Sequence, residues 1–155
     1  MSTLTSKSED ISGLSRGQQI QDALKTMLAE GESITLSVNG FCMVPSLHDD
    51  EQVTVTHSLR YWPGDLVAYY CPRKQQRFIH RFLGYVYSKG QRKCLIMSDD
   101  GNKPDPLVDA NTVLGKVIAR NKIDHQISMA KRARSVFLYG YWLIYLVIQK
   151  RLLRR

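Results

Sequence analysis

The stretch Ser33-Ile34-Thr35-Leu36-Ser37-Val38-Asn39-Gly40-Phe41-Cys42-Met43-Val44-Pro45-Ser46-Leu47 sets how the rest of the chain is read. Its first seven residues alternate polar and apolar in strict period two. That pattern is a strand with one buried face. Gly40 ends the strand, and a short apolar box carrying one cysteine and one proline follows. After the acidic turn Asp49-Asp50-Glu51, alternation resumes in Gln52-Val53-Thr54-Val55-Thr56. A thiol is thereby placed at the end of one strand, on a turn leading to the next.

Upstream, residues 1–14 are rich in Ser and Thr and are expected to be disordered. From residue 16 to 30, Ile20, Ala23, Leu24, Met27 and Leu28 fall at helical spacing, with Gly31 as a C-cap. Downstream, Asp65-Leu66-Val67-Ala68-Tyr69-Tyr70, residues 77–87, residues 93–97 and residues 112–118 read as further short strands. Pro63-Gly64, Cys71-Pro72, Lys89-Gly90 and the segment 101–106 supply the turns. Many short strands with turns between them predict a mainly β fold, antiparallel and partly closed, with a short N-terminal helix.

At 155 residues the chain is expected to form one domain over residues 15–125, with a C-terminal segment at 126–155. A chain of this length buries roughly 70% of its unfolded surface, enough for a core without metal or disulfide staples. The net charge is +8, yet seven of the basic residues lie from Lys131 onward with no acidic residue among them, leaving residues 1–130 near neutral. A nucleic-acid interface spread over the folded body is not what that distribution predicts. Three widely spaced cysteines with no CxxC pair predict neither a zinc site nor a disulfide framework, and they suit a reducing compartment. His48 and His57 fit no recognised zinc spacing beside Cys42. The first 30 residues are polar, without the apolar run of a secretion signal, which predicts a cytoplasmic location.

Residues 136–148 form a run of thirteen without charge, bracketed by Lys131-Arg132-Ala133-Arg134 and Lys150-Arg151. As a helix the run is about 20 Å long, too short to cross about 30 Å of hydrocarbon comfortably. Its Tyr139, Tyr141, Trp142 and Tyr145 favour a membrane interface, and the flanking bases favour anionic head groups. Three readings stay open: a peripheral contact with the inner face of the cytoplasmic membrane, a partner contact, and a helix docked on the core.

The box Gly40-Phe41-Cys42-Met43-Val44-Pro45-Ser46-Leu47 resembles the nucleophile box of type I signal peptidases, with cysteine where that family usually has serine. Four more segments follow in the family's order. These are Gly64-Asp65 before an apolar strand, Ile79-His80-Arg81-Phe82, the acidic loop Ser98-Asp99-Asp100-Gly101-Asn102-Lys103-Pro104-Asp105, and Gly115-Lys116-Val117. The set spans about residues 33–119, and the histidine resembles the branch in which His replaces the bacterial Lys. The resemblance implies a signal-peptidase/LexA-like β fold with Cys42 as nucleophile and His80 as general base. Asp100 and Asp105 become the candidates to orient the imidazole, the Cys42 backbone N–H an oxyanion donor, and Phe41, Met43 and Pro45 substrate contacts. Gly40 lacks the hydroxyl that bacterial members place there, and Asp99 stands where the loop usually has Gly.

A thiol beside an imidazolium can rest as a reactive ion pair, so cysteine goes naturally with histidine. The expectation is a cysteine endopeptidase, needing no cofactor or metal, that cleaves a precursor or leader peptide. The alternative is a peptide-binding scaffold that keeps the fold without the chemistry. A LexA-like regulator ranks lower, because no helix-turn-helix segment precedes the box.

Overall fold

In the computed structural model these patterns become eight strands and two flanking helices, described over residues 16–152. The expected disorder of residues 1–14, and the tail's Arg154 and Arg155, lie outside the described residues. Helix α1 (Arg16–Ala29) closes with two bonds back into its last turn, Gly31 N–H to Leu28 O (3.1 Å) and Glu32 N–H to Met27 O (3.1 Å). This 6→1, 5→2 pair needs a left-handed residue between helix and strand, and Gly31 supplies it at φ +90°.

The strands are β1 (Ser33–Ser37), β2 (Gln52–Thr56), β3 (Leu66–Cys71), β4 (Gln76–Ser88), β5 (Gln91–Met97), β6 (Val108–Asp109), β7 (Val113–Arg120) and β8 (Ile123–Asp124). All pairings are antiparallel, in the order β1-β2-β7-β3-β4-β5-β6, with β8 on β7. The fold is therefore mainly antiparallel β. Register shifts opposite Thr54/Val55 and Ala68/Tyr69, and within β4 between Phe82 and Gly84, mark bulges, which bend and twist the sheet. The β3–β4 hairpin sets His80 opposite Val67 and Phe78 opposite Tyr69.

Two expectations shift. The inward stripe of α1 consists of Gln21, Leu24 and Leu28, whereas Ile20 is 46% and Met27 40% exposed. The helix packs on β1 and β7 at an angle that leaves the Ile20 side lining a groove. The C-terminal segment, in turn, shares the body's core. Helix α2 (Met129–Leu152) lays Trp142 into a cluster with Leu83, Val86, Leu95 and Met97 of β4 and β5. Tyr139 donates its hydroxyl proton to Tyr85 O (2.7 Å), and its ring fills the space where any Cβ at Gly84 would stand. At its N-terminal end Arg132 reaches Asp65 Oδ1 (3.1 Å) and Lys131 reaches Ser46 Oγ (3.2 Å). Its other face is exposed. No helix among the described residues is long and apolar enough to cross a membrane.

Candidate active site

The box is held at both ends before it presents its thiol. Gly40, at φ +95°, turns the chain out of β1, and its N–H donates to Asp49 Oδ1 (2.7 Å). Met43 and Leu47 are buried in the main core, and Leu47 N–H closes a turn on Met43 O (2.8 Å). Between these anchors, the carbonyl of Cys42 accepts the N–H groups of Asp99 (3.0 Å) and Asp100 (3.2 Å). The acidic loop thus clamps the box through its backbone.

His80 and Arg81 are neighbours on β4 and serve different ends. The imidazole, 7% exposed, has Nε2 3.4 Å from Cys42 Sγ and Nδ1 2.5 Å from Asp105 Oδ2. The same carboxylate oxygen accepts the Tyr69 hydroxyl (3.0 Å). Burial, with Asp105 adding to it, pushes the Tyr69 hydroxyl far up, so it stays protonated and donates. With Nδ1–H directed at Asp105, the lone pair of Nε2 faces the thiol. In that order a thiol, an imidazole and a carboxylate can serve as nucleophile, base and orienter. Arg81 grips Asp99 with two bonds of 2.6 Å, and also Gly64 O (2.8 Å) and Ser46 Oγ (2.7 Å). This guanidinium ties box, turn and acidic loop together.

Of the two acidic candidates, the structure brings Asp105 to His80 and leaves the Asp100 side chain out of that contact. Asp100 is committed by its backbone to the Cys42 carbonyl, while Asp105 folds back with its N–H on Ile96 O (2.8 Å) and reaches the imidazole. Among the expected substrate contacts, Met43 lines the groove beside Cys42, and Phe41 stands exposed on the turn. Pro45 is away from that groove and lines a separate small cavity with Ser46, Arg81 and Leu138. Tyr69 escaped the sequence reading, where an aromatic on a strand passes for core. His48 turns to Glu51 (3.4 Å).

The charges around the thiol work against a resting ion pair. Burial pushes the Cys42 thiol up, the carboxylates of Asp100, Asp105 and Asp99 push it further, and a hydrogen bond from its own backbone N–H pulls it partly back. Replacing Asp100 by Asn removes the strongest of the three charges. In a Cys71→Ser background, the pH at which Cys42 becomes alkylated by iodoacetamide is therefore expected to fall. An unmoved profile would mean that the loop's charge does not reach the sulfur. Cys94, buried and pushed up to about 11 by that burial, should stay inert throughout.

A groove of about 890 Å³ leads to Cys42 between α1, β1 and the start of β4, with Leu36, Phe78 and Ile79 on its walls. Strand β1 pairs with β2 alone among the described residues, so its outer edge is open to an added strand. Gln21 also lines this groove, only 5% exposed, and its Oε1 has no hydrogen-bond partner among the described residues. No protein-family model matches the chain, and no curated protein matches it.

Proposed function

We propose that the chain is a cysteine endopeptidase of the signal-peptidase kind, cutting a precursor or leader peptide bound in extended form along the open edge of β1. The observation that carries this reading is the chain of contacts Cys42 Sγ–His80 Nε2, His80 Nδ1–Asp105, Asp105–Tyr69. The ordered resemblance over residues 33–119 supports it, and so does a groove that Cys42 helps to line.

Because the thiol is held protonated, His80 works as a general base. The Cys42 sulfur attacks the scissile carbonyl carbon as Nε2 takes the thiol proton. The imidazolium so formed is balanced by the Asp105 carboxylate, then gives its proton to the leaving amine as the C–N bond breaks. Water, losing a proton to Nε2, cleaves the thioester and regenerates the thiol. The Cys42 N–H donates to the oxyanion. Three free thiols go with a reducing compartment, and a cytoplasmic site of action with that.

A second reading draws on the raised thiol: a scaffold that binds peptides in the same groove and has no turnover. Treatment with p-nitrophenyl acetate near neutral pH separates the two. The peptidase reading expects a stoichiometric burst of nitrophenolate and a thioester mapped by mass to Cys42 ahead of Cys71, both lost in Cys42→Ala. Acetylation of Cys42 no faster than of Cys71 favours the scaffold.

A further inference from the structure

We propose that the outer face of α2 lies on an anionic lipid surface, with the helix axis in the plane of the membrane. Phe137 (76% exposed), Tyr141 (57%), Ile144 (63%), Ile148 (51%) and Leu152 (66%) recur at helical spacing and form one outward stripe. Their opposite numbers are Ser135, which is buried, and Tyr139 and Trp142, which are held by β4 and β5. An apolar stripe of this length on an outer face marks an interaction surface.

Charge selects the occupant. Helix α2 holds Lys131, Arg132, Arg134, Lys150 and Arg151 and no acidic residue. Pairing with a second copy, parallel or antiparallel, would bring basic end against basic end; Arg132 is already paired to Asp65, while Arg134 and Arg151 would meet charge of their own sign. An anionic head-group layer over hydrocarbon meets both features of the face at once. The orientation follows from length: Arg134 and Lys150 stand about 24 Å apart at 1.5 Å per residue. An upright helix would carry one basic cluster into the hydrocarbon. The helix is in any case fastened sideways to β4 through Tyr139 and Trp142. Lying flat, it sinks Phe137, Ile144 and Ile148 while the exposed Arg134 and Arg151, beside the stripe, reach phosphates, as interfacial helices do.

The test is flotation of the full chain with vesicles of phosphatidylcholine, alone or mixed with phosphatidylglycerol. Expected is binding to the mixed vesicles, little to the neutral ones, and loss in high salt. Arg134→Gln and Arg151→Gln should each weaken it about fivefold. Phe137→Ser with Ile144→Ser, both at exposed positions, should abolish it while the circular dichroism spectrum stays that of the parent. Equal binding to neutral vesicles overturns the proposal, as does binding that survives the double Ser variant. So does a concentration-dependent dimer, dissolved by that variant, in a protein that binds no vesicles. Cys42→Ala should bind as the parent does, so failure here leaves the peptidase reading standing.

Discussion

Arg81→Ala is expected to lower the unfolding free energy by about 3–5 kcal/mol, the cost of removing one partner from a buried, fully bonded ion pair. Arg81 and Asp99 side chains are only 9% and 12% exposed, and four hydrogen bonds from the guanidinium join Asp99, Gly64 and Ser46. Alanine would strand a carboxylate and a carbonyl together. Lys at this position should recover little, since an ammonium cannot reproduce the two-pronged grip. Urea unfolding of the two variants measures the effect, and a loss below about 1 kcal/mol would place the pair with exposed salt bridges.

The same pair gives stability a pH dependence with a definite sign. Burial by itself raises the Asp99 pKa, but hydrogen bonds from Arg81 and Ser46 and the charges of Arg81 and Lys131 outweigh it and hold the carboxyl below the usual range. A carboxyl depressed in the folded state contributes its stability above the unfolded value, about 3.9, and loses it as pH falls through the lower folded value. The parent should therefore weaken below about pH 4, and Arg81→Ala should lose most of that acid dependence.

What could be read from the sequence was whatever a local period carries. Alternation over residues 52–56 located β2 to the residue, and the long apolar and aromatic run around His80 located β4 within a residue at each end. The two-residue strands β6 and β8 carry no period and went unseen. Periodicity also says nothing of neighbours, so the insertion of β7 between β2 and β3 had to come from the structure. In α1 the apolar spacing pointed to Ile20 and Met27, yet packing turned Gln21 inward, because an open groove rather than core meets the Ile20 side.

The site divides in the same way. Cys42 and His80 stand out by residue type and surroundings, whereas three aspartates within seven residues are equivalent until the loop folds. Only then do Asp99, Asp100 and Asp105 part company, one to Arg81, one to the box backbone and one to His80. Tyr69 could have been found by one step more. Residues two apart share a strand face, so once Val67 is paired with His80, Tyr69 falls on the imidazole's side. The direction in which the thiol's pKa moves was out of reach. It depends on how closely those carboxylates and the surrounding protein crowd one sulfur, a through-space sum with no trace in the order of residues.

His80→Ala carries the largest expected effect on chemistry: acylation of Cys42 by p-nitrophenyl acetate should slow by about 10²–10⁴-fold, the usual worth of a positioned general base. The raised thiol makes the dependence steep, since little thiolate exists near neutral pH to react unaided. Asp105→Asn should slow acylation by about 10- to 100-fold, because the charge-assisted bond that balances the imidazolium is worth roughly 1.5–3 kcal/mol. Tyr69→Phe, which removes one donor from Asp105, should cost less. The readout that sets catalysis apart from mere damage is a pair of opposite signs. Removing the Asp105 charge takes away one of the groups that push the thiol up, so the pH profile for iodoacetamide should move down while acylation slows. A misfolded site would lose both reactions' selectivity for Cys42 together, and a thiol that never engaged His80 would gain in both.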